Sequence, residues 1–129
     1  MQDAPMLRRY QDAMNAHDLE ALVGCFDDDY ESVQPFNPDR DFRGRETVRQ
    51  RWTAVFRDVP DFRADLLRSG VAGDEEWAEW RWRGTRADGS AIDVVGVTIV
   101  GIRDGRIAWG RFYLEEAGAG RGGMRIEPG

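Results

Sequence analysis

Few side chains in this sequence can do covalent or acid–base chemistry, and their types narrow the options. There is one histidine, His17, and one cysteine, Cys25. Together they cannot supply a zinc site of the usual His/Cys kind, and a lone cysteine closes no internal disulfide. All eighteen basic residues are arginine, which removes Schiff-base lysines and the lysine of a phosphate-binding P-loop. A Ser-His-Asp triad would need His17 with Ser32, Ser69 or Ser90, and none of these serines sits in a nucleophile-elbow sequence. The run Asp27-Asp28-Asp29 lacks the glycine and distal glutamate of a calcium loop and reads as a solvated helix end. Acid–base or hydrogen-bonding chemistry by Asp, Glu and Tyr remains, or binding without chemistry. Neither a metal nor a cofactor is expected.

The 129 residues suffice for one domain. Hydrophobic residues make up 41% and charged residues 33%, a balance that allows a real core. A formal charge of −6 argues against nucleic acid and anionic membranes as partners. No apolar run reaches the roughly 18 residues of a spanning helix. The first residues lack the basic and apolar regions of a signal peptide, so a cytoplasmic location is expected.

Hydrophobic spacing sets the elements that must position any site. Met6, Leu7, Tyr10, Ala13 and Met14 recur at helical spacing over residues 4–16, with Pro5 suited to the first turn. Asp18 reads as the N-cap of a second helix carrying Leu19, Leu22, Val23 and Phe26. Residues 30–34 form a short strand candidate, and residues 45–58 a third helix with Val48, Trp52, Val55 and Phe56 as its apolar stripe. From Phe62 the period changes to two, and further strands read 75–85, 91–103 and 106–115. Asp88-Gly89 and Asp104-Gly105 join them as hairpins. The order predicts an α+β domain over residues 1–117, with helices on one face of a sheet and a flexible Gly-rich tail over 118–129.

This order and several local stretches resemble the SnoaL-like, or nuclear-transport-factor-2-like, superfamily, which includes ketosteroid isomerases. The stretches are Ala16-His17-Asp18-Leu19-Glu20-Ala21-Leu22, Phe26-Asp27-Asp28-Asp29 and Arg43-Gly44-Arg45-Glu46-Thr47-Val48. Gly84-Thr85 with Asp88-Gly89, and Asp104-Gly105-Arg106-Ile107 running into Arg111-Phe112-Tyr113, complete the set. The resemblance implies a cone: a curved mixed sheet wrapped by three helices, of the cystatin-like α+β barrel kind, with an apolar pocket at its open end. It also implies pairing of two such domains through the outer face of the sheet. It says little about activity, because one fold hosts isomerases, polyketide cyclases, epoxide hydrolases, dehydratases and binding modules.

Position by position, the resemblance separates these activities. The ketosteroid isomerase tyrosine lies eight residues before the Asp that opens the second helix, and Tyr10 stands in that relation to Asp18. The family's general base falls in an Asp-Pro-Phe, read here as Gln34-Pro35-Phe36, and an amide cannot accept a proton. The family's protonated acid falls where Asp93-Val94-Val95-Gly96-Val97 carries Gly96. Steroid isomerisation by that mechanism is not supported. The Arg-x-Asp of epoxide hydrolases is replaced by Glu79-Trp80-Arg81, and their second Asp by the Arg111-Phe112-Tyr113 stretch. No cyclase Asp has an unambiguous counterpart.

Turn chemistry then selects the side chains that face inward. A three-residue turn with Gly105 as a bulge sets Gly96 opposite Phe112 and Thr98 opposite Gly110, turning Val94, Gly96, Thr98, Gly110, Phe112 and Leu114 inward. The same turn at Asp88-Gly89 sets Trp82 opposite Val94 and Trp80 opposite Gly96. A two-residue turn would bury Glu79, Arg81 and Arg83 instead, at several kcal/mol per unpaired ion. The tryptophans are therefore expected inside, with space left at Gly96, an Arg83–Asp93 pair outside, and Glu79 as a reserve base. The expected ligand-binding wall is Trp52, Phe56, Trp80, Trp82, Val94, Gly96, Thr98 and Phe112, with Tyr10 and Gln34 as polar, catalytic-position handles. Such a pocket suits a small, planar hydrophobic molecule with a carbonyl or phenol. Two functions stay open: a cofactor-independent isomerase, cyclase or dehydratase, and a non-catalytic binding module. Val95, Val97, Ile99, Trp109 and Tyr113 on the outer face are expected to form a homodimer surface.

Overall fold

A computed structural model describes residues 3–118, so the expected tail lies, beyond Gly118, outside the described residues. The chain begins with α1 (Pro5–Ala16), whose Met6, Leu7, Tyr10, Ala13 and Met14 are buried as one stripe. Ala4 offers no side-chain cap to its first amides. Glu76 does so from across the fold, accepting from Met6 N at 3.1 Å and Leu7 N at 2.9 Å. A carboxylate there also opposes the positive end of the helix dipole. His17 ends α1 in the left-handed region (φ 53°). Its ring stacks on Phe56 at 4.7 Å, and its Nε2 lies 2.9 Å from the Phe62 carbonyl oxygen.

Asp18 caps α2 (Leu19–Val23) by accepting from Ala21 N at 3.1 Å. Here the structure corrects the sequence expectation: the second helix stops after five residues, and Phe26 already belongs to β1 (Phe26–Val33). Phe26 fits helical spacing and strand alternation equally well. Backbone pairing with a distant strand decides the matter, Ile107 donating to the Cys25 carbonyl at 2.7 Å. Asp27 and Asp28 are therefore strand residues, ion-paired to Arg103 (3.1 Å) and Arg45 (2.6 Å). A 3-10 turn (Pro38–Arg40) and the two-residue β2 (Phe42–Arg43) lead into α3 (Arg45–Asp58), which spans the residues expected.

The rest is an antiparallel meander of β3 (Arg63–Ala72), β4 (Glu75–Thr85), β5 (Ala91–Arg103) and β6 (Arg106–Glu116). All strands join one six-stranded sheet in the order β2-β1-β6-β5-β4-β3, with β1 and β6 parallel and the other neighbours antiparallel. The curved sheet and three helices make the α+β cone expected, but β2 and β3 remain free edges, so it is not a closed barrel. Asn15 blunts the β3 edge from α1, donating to the Ala64 carbonyl (2.9 Å) and accepting from its amide (2.7 Å).

Two hairpins fix which side chains face the helices. Between β4 and β5, Trp82 pairs with Val94 and Trp80 with Gly96, as the turn at Asp88-Gly89 predicts. Between β5 and β6 the pairing differs from expectation by two residues: Gly96 faces Leu114 and Thr98 faces Phe112. Asp104 and Gly105 (φ 53° and 73°) form a two-residue turn closed by Arg103 and Arg106, and a bulge follows where Gly101 pairs Trp109 but Ile102 pairs Ile107. The bulge restores the parity that the shorter turn would have reversed, so the same side chains face inward.

Gly96 serves the backbone rather than leaving space opposite Trp80. Its φ is 147°, and a Cβ there would lie 1.9 Å from the Tyr113 carbonyl oxygen. On the outer face, Asp93 pairs with Arg81 (2.7 Å) and Arg83 with Asp65 (2.7 Å), replacing the expected Arg83–Asp93 bridge. That face also carries two tryptophans laid across glycines of the neighbouring strand, Trp77 over Gly70 and Trp109 over Gly101.

Candidate functional site

The helix-facing side of the sheet and α3 enclose a cavity of about 730 Å³. Tyr10 reaches its inner wall from α1, held edge-on against Phe26 (5.5 Å), Trp52 (6.0 Å) and Trp80 (6.0 Å). Burial pushes its phenol well above the usual tyrosine range, and neighbouring Tyr30 and Cys25 add to this. A hydrogen bond from the Trp52 indole acts in the opposite direction. Tyr10 is thus a fixed, neutral donor at any working pH.

Alternation along β1 places Tyr30 and Ser32 on the same wall, and Gln34, just past the end of the strand, continues it. Tyr30 is 1% exposed, and burial raises its pKa against the opposing effects of Ser32 and Arg51. Gly110 makes room for it, since a Cβ there would stand 2.8 Å from the Tyr30 hydroxyl. Gln34 is half-buried, and its backbone N–H donates to the Asp41 carboxylate at 2.6 Å.

The opposite wall is aromatic and aliphatic. Trp82 packs against Trp52 (5.7 Å) and Phe62 (5.8 Å), and Val94, Phe112 and Leu114 continue the surface. The Trp82 indole nitrogen is the one buried side-chain polar atom without a hydrogen-bond partner among the described residues. Phe36, Asn37, Arg40, Glu115 and Glu116 line the cavity where it meets solvent. These two glutamates are the only carboxylates on the lining among the described residues. Glu116 is engaged by Arg86 at 3.0 Å.

Of the ten positions expected from sequence, six line this cavity: Tyr10, Gln34, Trp52, Trp82, Val94 and Phe112. Four do not. Trp80 is fully buried behind the wall and donates to the Thr98 hydroxyl at 2.9 Å, which occupies both residues. Phe56 turns away to stack on His17, and Gly96 lies where β5 closes on the β6 backbone. Glu79, adjacent to Trp80 on the strand, faces away from the cavity.

Sequence reasoning missed Tyr30, Ser32, Arg40 and Arg51. The signal for the first two was present, because Tyr30 and Ser32 share the parity of Gln34 in the strand expected over residues 30–34. Arg51 had one too: it falls three residues after Val48 and four before Val55, within the apolar stripe of α3. It lies half-buried over the Phe42 ring, 4.4 Å from guanidinium carbon to centroid.

The SnoaL-like domain family matches residues 7–109, and the chain belongs to that family. No curated protein matches it in sequence. Among solved structures it is similar to a hypothetical protein of ketosteroid isomerase-like fold from Catenulispora acidiphila, in complex with trimethylamine. The TM-score is 0.75 at 17% identity, covering 87% of each chain. It is also similar to a candidate SnoaL-like polyketide cyclase from Jannaschia sp. CCS1 (TM-score 0.73, 18% identity, 89% of this chain and 92% of that one). IdmH of Streptomyces antibioticus, a candidate polyketide cyclase, gives TM-score 0.72 at 22% identity over 86% of this chain and 90% of that one. At such identities the likeness shows the fold alone.

Proposed function

We propose that this cavity binds a planar, largely apolar molecule bearing a carbonyl or phenolic oxygen, which Tyr10 engages as donor. The observation that carries this reading is a pair of buried, neutral phenols, Tyr10 and Tyr30, on one wall of a cavity whose other wall is aromatic. A phenol held in a low-dielectric site donates strongly to an oxygen that gains charge, as in an enolate. The reading extends to cofactor-independent isomerisation, cyclisation or dehydration of a conjugated carbonyl compound, with Gln34 orienting the substrate. The polyketide cyclase assignments of two structural relatives point the same way.

A second reading is a binding module without turnover. It is favoured by the inner lining, where Gln34 stands in place of a general base and no carboxylate is present among the described residues. One experiment separates them. Purified protein is titrated with planar aromatic ketones by calorimetry, and each bound ligand is recovered and analysed for chemical change. Binding that weakens about tenfold in Tyr10→Phe supports the donor role, and unchanged affinity removes it. Altered ligand supports catalysis, whereas ligand recovered intact supports the module.

The same reading has two copies pairing through the outer face, in the cytoplasm. Val95, Val97, Ile99, Trp109 and Tyr113 form a half-exposed apolar band there, of the kind that marks protein interfaces.

A further inference from the structure

Four donors, Tyr10, Tyr30, Arg51 and Arg40, share the cavity lining, and its two carboxylates, Glu115 and Glu116, lie exposed at the mouth, Glu116 engaged by Arg86. Phe42 links two of these donors, with the Tyr30 ring 5.8 Å away and the Arg51 guanidinium over its face. Tyr10 and Tyr30 are both buried, whereas Arg51 is half-buried and Arg40 exposed. Burial and the neighbouring Arg40 both depress the Arg51 pKa, the mark of two like charges close together.

Neither arginine has a carboxylate within 4.0 Å among the described residues, whereas ten other arginines do. Partners are not scarce, because the chain holds 24 acidic residues against 18 basic ones. Even Asp41, adjacent to Arg40, instead accepts from the Gln34 backbone N–H. A half-buried cation on an otherwise apolar helix stripe, left unpaired in an acidic protein, is costly unless something else neutralises it.

We propose that the ligand of this cavity is a planar hydrophobic monoanion whose carboxylate is held by Arg51 with Arg40, its conjugated body lying against Trp52, Trp82 and Phe112. The inference rests on the binding reading above and narrows it from a neutral carbonyl compound to an acid. A carboxylate offers two oxygens to the edge of one guanidinium, and the Phe42 ring holds that guanidinium in place. A dianion would pay a larger dehydration penalty in a cavity lined mainly by rings.

The test compares 2-naphthoate with its neutral isostere 2-acetonaphthone, by calorimetry on the full chain, in the wild type and in Arg51→Met, Arg51→Lys and Arg40→Gln. Naphthoate is expected to bind about tenfold or more tighter than the ketone, the scale of a hydrogen bond to a charged group. That ratio is expected to collapse toward one in Arg51→Met, survive in part in Arg51→Lys, and shrink with added salt. Arg40 is exposed, so Arg40→Gln keeps the test intact if Arg51→Met fails to fold, and it lowers the ratio a few-fold. If wild type binds ketone as well as acid, or Arg51→Met and Arg40→Gln both leave the ratio unchanged, the anion is refuted while the cavity stands. If neither compound binds, both readings fall.

Discussion

At Tyr10 the structure sets a specific acid–base behaviour. Burial raises the pKa of Tyr10 and Tyr30 above that of an unfolded tyrosine. The folded chain therefore holds these protons where the unfolded chain releases them. By linkage, their contribution to stability is complete below the unfolded pKa, near 10, and is lost as pH rises beyond it. In an alkaline titration the 295 nm phenolate absorbance of these two residues should rise together with loss of circular dichroism; a phenolate signal from them in a chain still folded would contradict their burial. Gly96 is a second sharply constrained residue. Gly96→Ala combines a φ of 147° with a Cβ 1.9 Å from a carbonyl oxygen. It should lower stability by ~3 kcal/mol or more, read as a lowered urea midpoint. The sequence marked Gly96 as unusual, but for a lost catalytic acid and a gap in the wall. What local spacing could not express is that β5 and β6 nearly touch there, which follows from their pairing.

At the scale of elements, the parts legible in sequence were those whose pattern has a single solution. The α3 stripe and the long alternations of β4 and β5 gave those elements their observed bounds. The first turn gave β4 and β5 their pairing. The short second helix was not legible beyond its cap, because Phe26 satisfies two periods and the contest is decided by β6, some eighty residues away. The capping of α1 was equally hidden. Its acceptor is Glu76, an inward-facing carboxylate on β4, 5% exposed. Glu76→Ala leaves two helix amides without an acceptor and is expected to destabilise the fold by about 1–3 kcal/mol, with Glu76→Gln recovering part of that. Thermal melts of the two variants side by side check this, and equal melting of Ala and wild type would show that water replaces the carboxylate.

For the whole molecule, the sheet separates two surfaces of different character. The helix-covered side holds the cavity, and the outer side carries the apolar band. Val97→Arg places a charge in the middle of that band without entering the cavity. On the proposed pairing, native mass spectrometry should shift from dimer toward monomer while ligand affinity is retained; a wild type already monomeric at micromolar concentration would remove the interface. The same partition divides the five tryptophans. On the helix-covered side Trp82 lies within 6 Å of both Trp52 and Trp80, and on the other side Trp77 and Trp109 lie over glycines. Each side thus carries its own intrinsic chromophores. On the proposed readings, exciton-coupled ellipticity from the inner three should report occupancy of the cavity, and the emission wavelength of the outer two should report pairing of two copies, so both proposals can be followed optically on the unlabelled chain.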